Sequence, residues 1–326
     1  MITLLPPHEK PYIDEAAQLA LIKSRGIEVT NDEEVAAWLK RVGYYRLSAY
    51  SYPFRLPKIE QDGTSKRQDE YRPNTKLTEV STFYSFDKAL RTRLADALEQ
   101  IEIAIRAALV ETLGAISPVA YRDARSYRAD FSKPDENEDV PLDQFIEGLD
   151  NAFERSKGDF ARHFRKTYSG PPPVWVAAES WDWGKLSWTL SQLSDANKDL
   201  VCKRVNPSLK RKTLVSWMTC LNDVRNACAH HSRLWNRPLI NNPSLKQREL
   251  ALLDDLRSED GSMPEQIQKR LYGALAVVVI LLKSFSKETD WPQEFRLFIQ
   301  GVNLPSEISI NSAGFPENWH EHALWV

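Results

Sequence analysis

The chain has 326 residues, of which 42% are hydrophobic and 10% aromatic, so it can bury a substantial core in one large domain or two smaller ones. This composition excludes an intrinsically disordered protein. The three cysteines, Cys202, Cys220 and Cys228, form no Cys-x-x-Cys pair and are odd in number, which disfavours a disulfide framework and favours a reducing compartment. The longest apolar run, residues 274–282, is about half as long as a membrane span, and the opening residues lack the pattern of a secretory leader. We therefore expect a cytoplasmic protein without a membrane partner.

The net charge of -2 hides a strong separation of charge along the chain. Residues 130–150 carry eight acids and one lysine, whereas residues 201–250 carry ten Lys or Arg against two acids. A basic block of this kind favours a polyanionic ligand such as RNA, although a solvated charged face gives the same pattern.

The first elements in chain order are two short helices. Apolar spacing predicts a helix over residues 13–25, and Asn31 predicts the capped start of a second helix that ends at Gly43. Two such helices could form a DNA-binding helix-turn-helix. The second helix disfavours this interpretation, because it offers only Lys40 and Arg41 for phosphates and no residue suited to read bases.

Aromatic residues then alternate with arginines over residues 43–55, which include Arg46. Such a segment could stack on unpaired bases, or its rings could simply anchor the neighbouring helices. Residues 56–75 are polar and contain glycine and proline, which predicts a loop.

The strongest helical pattern of the chain covers residues 77–113. Matched charges four residues apart, such as Glu102 and Arg106, support it. Its apolar residues recur every three or four positions and are predicted to be buried: Phe83, Phe86, Leu90, Leu94, Leu98, Ile101, Ile105 and Leu109. The acidic stretch 130–150 is predicted to be a loop.

Three further helices are predicted after the proline-rich break at residues 170–175. The first begins near residue 177, the second covers residues 212–231, and the third covers about residues 264–286. Few segments alternate as strands do, so the fold class is all-α. We divide the chain into an N-terminal helical region (1–75), a helical domain (76–290) and a C-terminal tail (291–326) docked by aromatic residues.

The motif that points to chemistry is "VRNACAHHSRLWNR", residues 224–237. On a helix, Asn226 and His230 share a face, and the long side chain of Arg225 can reach towards them. A fixed cation beside an imidazole suits RNA cleavage by internal transesterification, because histidine moves the proton and arginine holds the phosphate. That chemistry requires neither a metal nor another cofactor. His231 is a second candidate for the proton carrier.

The same motif allows two other interpretations. Zinc binding by Cys220, Cys228, His230 and His231 is disfavoured, because four ligands on one helix cannot close a tetrahedron. Alternatively, the two histidines only cap the helix, whose carboxyl end favours imidazolium. The residues alone leave catalysis and capping open.

The segments "GYYRLSAYSYPFR", "YSFDKALRTRLADALEQIEIAIRAAL", "ESWDWGKLS" and "VRNACAHHSRLWNR" follow one another as in the Abi-like (abortive infection) proteins of bacteria, which the chain resembles over about residues 10–240. The last segment is similar to the Arg-x4-6-His signature of the HEPN superfamily of all-α ribonucleases. The resemblance implies a HEPN-type helical bundle and a metal-independent endoribonuclease that acts in phage defence or as a toxin.

Carried over by position, the signature assigns catalysis to Arg225, Asn226 and His230, with His231 also within the permitted spacing. The resemblance further implies a homodimer with a composite site, since the chain holds one copy of the motif, and it allows an antitoxin RNA or protein as a partner. The alternative is a non-catalytic RNA-binding or scaffold protein of the same fold. The expected RNA contacts are Arg46, Lys203, Arg204, Lys210, Arg211, Lys212, Arg233 and Arg237.

Overall fold

The computed structural model describes residues 11–59, 65–246 and 250–326, which are predominantly α-helical, and this confirms the all-α prediction. The chain forms two compact units. The first takes in the described residues up to Ala89 together with Val302–Ser309, and the second takes in Leu90–Gly301 together with Ile310–Val326. The sequence-based boundary after residue 75 lies just before a long helix, whereas the division between the units falls inside that helix.

Three helices open the first unit: α1 (Glu15–Ser24), α2 (Asp32–Val42) and α3 (Tyr44–Ser51). The carboxylate of Asp14 accepts a hydrogen bond from the Ala17 N–H at 2.9 Å, and the side chain of Asn31 accepts one from the Glu33 N–H at 2.9 Å. Both caps satisfy backbone donors at a helix start, which confirms the two predicted helices.

The aromatic segment forms α3 and the turn that follows it. Tyr50 and Phe54 are buried, and the Tyr50 hydroxyl donates to Asp87 at 2.7 Å, whereas Tyr45 is 91% exposed. Tyr50 and Phe54 therefore anchor the segment to its neighbours, whereas the ring of Tyr45 lies in solvent.

The predicted loop at residues 56–75 is wrong. It contains most of an antiparallel hairpin of β1 (Arg55–Ile59) and β2 (Ser65–Tyr71), whose register pairs Arg55 with Tyr71 and Ile59 with Ser65. The sequence pattern did not predict these strands, because they are polar and poor in β-branched residues. Residues 60–64, also inside the predicted loop, lie outside the described residues.

Helix α4 (Leu77–Gly114) is a single element of 38 residues. All eight predicted core positions, from Phe83 to Leu109, are buried. The predicted ion pair between Glu102 and Arg106 is present at 2.7 Å. The apolar period therefore predicted both the helix and its buried face.

The second unit continues with α5 (Pro141–Arg155), α6 (Asp159–Thr167), α7 (Val174–Ala177), α8 (Trp183–Gln192) and α9 (Asp195–Val205). Helix α5 corrects the prediction of an acidic loop over 130–150. Pro141 suits the first position of a helix, and Leu142, Leu149 and Phe153 are buried along one face. Helix α8 starts at Trp183, later than predicted, because Asp182 caps it.

The remaining helices are α10 (Arg211–Ala229), α11 (Glu265–Gln268), α12 (Leu271–Phe285) and α13 (Trp291–Gly301). Residues 271–282 of α12 are all buried, and α10 packs against α8, α9 and α12. The apolar run thus forms a core helix, as predicted. Across the described ranges, no helix combines the length and apolar character needed to cross a bilayer.

The end of the chain is docked by aromatic rings. Phe315, Trp319 and Trp325 are buried, and the Trp325 indole N–H donates to the Tyr272 hydroxyl at 2.9 Å. Gly314 precedes these rings with a φ of +88°, and a Cβ there would lie 2.7 Å from the Cβ of Arg270.

We expect Gly314→Ala to destabilise the second unit more than Gly170→Ala. Both glycines have positive φ, so each substitution costs about 1–2 kcal/mol of backbone strain. Only Gly314 adds a steric clash, of about 1–3 kcal/mol, because nothing lies within 4 Å of a Cβ at Gly170. Thermal denaturation of both variants measures the difference, and equal midpoints would contradict the tight contact.

Candidate active site

Helix α10 carries the Arg225 motif at its carboxyl end, and its apolar pattern determines which side chains stay accessible. Its apolar side chains recur at spacings of three and four residues and are buried, namely Leu214, Trp217, Leu221, Val224 and Cys228. Arg225 and Asn226 are half-buried beside that face, and His230 is exposed. The final turn therefore presents an arginine, an amide and an imidazole at the surface of the second unit.

The end of α10 is fixed by three backbone hydrogen bonds. His230 donates to Asn226 O at 2.9 Å, His231 to Cys228 O at 3.2 Å and Ser232 to Ala227 O at 2.9 Å. The last two bonds form a Schellman motif, in which the residue after the cap adopts a left-handed conformation.

His231 occupies that left-handed position, with a φ of +56°. Glycine usually fills it, and a side chain there costs about 1–2 kcal/mol. Glycine would form the same turn without that cost, so the imidazole of His231 is a candidate for a functional role.

An open groove of about 570 Å³ lies beside this helix end. The α10 side contributes Arg225, Cys228, Ala229 and His231, and the α4 side contributes Ala95, Leu98, Glu99, Glu102, Ile103 and Arg106. The groove thus brings Arg225 and His231 together, whereas Asn226 and His230 lie outside its lining.

Arg225 makes no hydrogen bond through its guanidinium within the described residues, but its charge reaches Asp182. Burial acts to raise the pKa of Asp182, but hydrogen bonds from Lys185 and the positive charges of Lys185 and Arg225 outweigh it. The pKa of Asp182 is therefore held below its ordinary value, and the carboxylate that caps α8 stays ionised near Arg225.

The Glu102–Arg106 ion pair forms one wall of the groove. Arg106 also donates to the backbone carbonyl of Trp181 at 3.0 Å, so it ties α4 to the segment that precedes α8. Sequence reasoning treated this pair as ordinary helix support and did not place it, or Glu99, near the motif. Their spacing on one face of α4 was visible in the sequence, but the contact with α10 depends on tertiary packing.

The basic residues expected to bind RNA are not gathered at the groove. Lys203, Arg204, Lys210 and Lys212 are exposed near the start of α10, and by helical rise Arg211 lies about 27 Å from Ala229. Arg211 is paired with Asp195 at 3.0 Å and Asp199 at 2.9 Å, and Arg204 lies 3.9 Å from Glu111.

The other expected contacts are more scattered. Arg233 is half-buried and Arg237 is exposed just after α10, whereas Arg46 belongs to the first unit.

The described ranges contain no group of three or more His, Cys, Asp or Glu side chains placed to hold a metal ion. The three cysteines are buried and form no disulfide with one another. Burial raises the pKa of Cys202 to about 12 and also raises that of Cys220, so neither thiol is a ready nucleophile.

The sequence model of the Abi-like protein family matches residues 37–236, which is more than half of the chain. The chain belongs to the Abi-like family. The match includes α4 and α10, and thus both walls of the groove. No curated protein and no solved structure matched the chain.

Asp182 provides a test of how α8 is held beside Arg225. We expect Asp182→Ala to lower the free energy of unfolding by about 0.5–2 kcal/mol, because it removes the cap of α8, whereas Asp182→Asn keeps the cap and loses less.

The charge of Asp182 should show in the pH dependence of stability. Because its folded pKa lies below the ordinary value of 3.8, its stabilising contribution is complete at neutral pH and is lost as the pH falls through the folded pKa. Asp182→Asn should lack this component. Denaturant titrations at neutral and acidic pH measure both effects, and equal losses in the two variants at neutral pH would show that the charge outweighs the cap.

Proposed function

We propose that this Abi-like protein is a metal-independent endoribonuclease of abortive-infection or toxin type, built on a HEPN-type helical bundle and acting on RNA in the cytoplasm. One observation carries the proposal: a guanidinium without a hydrogen-bond partner in the described chain and two exposed imidazoles lie at one helix end, beside an open groove that Arg225 and His231 line. Membership of the Abi-like family supports a role in abortive infection.

The chemistry is an internal transesterification. An imidazole takes the proton of a ribose 2′-hydroxyl, and the 2′-oxygen forms a bond to the adjacent phosphorus. The bond from phosphorus to the 5′-oxygen breaks, and that oxygen receives a proton. The products end in a 2′,3′-cyclic phosphate and a 5′-hydroxyl. The permanently charged guanidinium of Arg225 stabilises the negative charge that builds on the phosphate.

We assign the proton transfer to His230. Its ring is exposed at the helix end and makes no hydrogen bond within the described residues, so it is accessible to a substrate. Asn226 lies one turn earlier on the same face, where its amide can orient a ribose hydroxyl. His231 occupies the left-handed position and lines the groove, which makes its imidazole the second candidate for the proton transfer.

A single helix end does not supply everything that the reaction needs. The step requires a proton acceptor, a proton donor and a cation, yet His230 is the one imidazole assigned to proton transfer here. We therefore propose that two copies meet around Asn226, His230 and Arg233 in a two-fold contact and complete the site together.

Substitutions of the motif test the assignment of roles. Arg225→Ala and His230→Ala should each abolish RNA cleavage and growth arrest while leaving the thermal midpoint nearly unchanged, because neither side chain is buried in the core. A stability loss of about 2–5 kcal/mol, as for a truncated core residue, would show that the motif is structural. Tight RNA binding by active-site-intact protein without turnover would favour a non-catalytic RNA-binding role.

His231→Gly is the matched control for the two histidines. Glycine keeps the left-handed turn and removes the imidazole, so we expect cleavage to persist and stability to rise by about 1 kcal/mol. Loss of cleavage in His231→Gly, with His230→Ala still active, would transfer the proton-carrying role to His231.

Mixing of subunits tests the composite site. Arg225→Ala and His230→Ala proteins should be inactive alone and regain partial cleavage when mixed, if the two roles come from different chains. Co-expression of either variant with wild type should reduce activity. A wild-type protein that is monomeric by light scattering at its working concentration and still cleaves at full rate would contradict the proposal.

A further inference from the structure

A second cavity of the same unit has the composition of a stacking site. It is open, has a volume of about 600 Å³, and lies between α6 and the proline-rich segment before α7. Its walls include Phe160, His163, Tyr168 and Trp175. No carboxylate lines it, in contrast to the groove beside α10, which contains Glu99 and Glu102.

Two of its rings leave large parts of their faces in solvent. Tyr168 is 57% exposed and Trp175 is 50% exposed. The Tyr168 ring lies 6.1 Å from the His163 ring at an interplanar angle of 78° and 5.3 Å from the Phe164 ring, so its position is set by neighbouring rings. Aromatic rings held in this way can stack on planar ligands such as nucleobases.

The opposite wall is preformed. Consecutive prolines at residues 171–173 restrict the backbone, the Val174 N–H donates to Pro118 O at 2.7 Å, and the Tyr121 hydroxyl donates to Pro172 O at 3.0 Å. A ligand that enters this cavity therefore meets a rigid surface and loses little free energy in ordering it.

The charge around the cavity identifies the class of ligand. Residues 155–168 carry five Lys or Arg against one acid, Asp159. Asp159 pairs with Arg162, and Arg165 donates to backbone carbonyls and lies 4.0 Å from Glu154. Lys157 and Lys166 are exposed and have no ion-pair partner among the described residues. Lys166 lies three residues from His163 on α6, so the two residues are neighbours on the helix surface and His163 lines the cavity. Exposed aromatic rings near cations suit the bases and phosphates of single-stranded nucleic acid.

The cavity also lies along the same helix as the candidate active site. Gly114, at the end of α4, borders the wall, since a Cβ there would lie 3.7 Å from Trp175 Cε3. Ile103 of the groove is eleven residues earlier on α4, or about 16 Å by helical rise. One strand could therefore occupy both places.

We propose that this cavity binds an unpaired base of the RNA substrate by stacking on Tyr168 and Trp175, while Lys157 and Lys166 contact the neighbouring phosphates. This rests on the proposed function and deepens it: the substrate is single-stranded at a fixed distance from the cut, because a base inside a duplex offers no face to the rings.

The test is RNA binding by full-length protein that carries Arg225→Ala, which separates binding from cleavage. The probe is a short fluorescein-labelled single-stranded oligoribonucleotide, and its anisotropy reports the affinity. Trp175→Ala and Tyr168→Ala should each weaken binding by about 5- to 140-fold, the range measured for loss of one stacked base. Trp175→Phe should retain most of the affinity, and the duplex form of the oligonucleotide should be insensitive to all these changes.

Trp188→Ala is the matched control, because Trp188 is also 50% exposed but does not line the cavity. This variant should bind RNA as tightly as the Arg225→Ala protein does.

Lys157→Glu with Lys166→Glu should weaken RNA binding and flatten its salt dependence. Unchanged affinity in Trp175→Ala and Tyr168→Ala would overturn the proposal and leave the cavity to a protein partner. In that case RNA cleavage by the wild-type protein would still support the proposed function. Absence of cleavage by the wild-type protein would contradict both the proposed function and this proposal.

Discussion

The left-handed turn at His231 is the constraint on which the candidate site depends. It ends α10 at Ala229, with His230 as the cap, and directs the chain away, so that Arg225 and His231 border the groove while Asn226 and His230 lie outside its lining. The turn holds its place because the rest of α10 is buried against α8, α9 and α12. The Trp183 indole adds a hydrogen bond to Met218 O at 3.1 Å, within the same packing. Core packing thus fixes the backbone to which the polar residues are attached.

The charges of the second unit differ between the groove beside α10 and the segment around α6. The groove beside α10 combines Arg225 and Arg106 with Glu99 and Glu102, so its field is mixed and suits local chemistry more than the capture of a long polyanion. Residues 155–168 are basic and carry exposed rings, which suits capture. A strand held at the second place and cut at the first would require little positive charge in the groove itself.

Periodicity predicted the helices well, because their buried faces repeat every three or four residues. The core of α4, the core face of α10 and the buried run of α12 were all apparent from letters alone. The hairpin of β1 and β2 was missed because its polar strands lack that signal, and α5 was missed because its acids suggested a loop.

The candidate site could be predicted only in part. The motif on α10 is contiguous in sequence, so Arg225, Asn226 and the two histidines were found. The groove wall of Glu99, Glu102 and Arg106 comes from a helix more than a hundred residues earlier, and its approach to α10 is a product of packing. The left-handed conformation of His231 could not be read from the sequence either, since a histidine carries no signal for a turn that glycine usually forms.

The central claim is that Arg225 and His230 cleave RNA through the 2′-hydroxyl, and the chemistry of the product ends tests it most directly. Purified protein, incubated with single-stranded RNA in excess chelator, should yield fragments that mass spectrometry identifies as 2′,3′-cyclic phosphates and 5′-hydroxyls. A matched 2′-deoxy oligonucleotide should remain intact, and the Arg225→Ala protein should give no fragments. Products with 5′-phosphates, cleavage of the 2′-deoxy substrate, or equal cleavage by the Arg225→Ala protein would contradict the account.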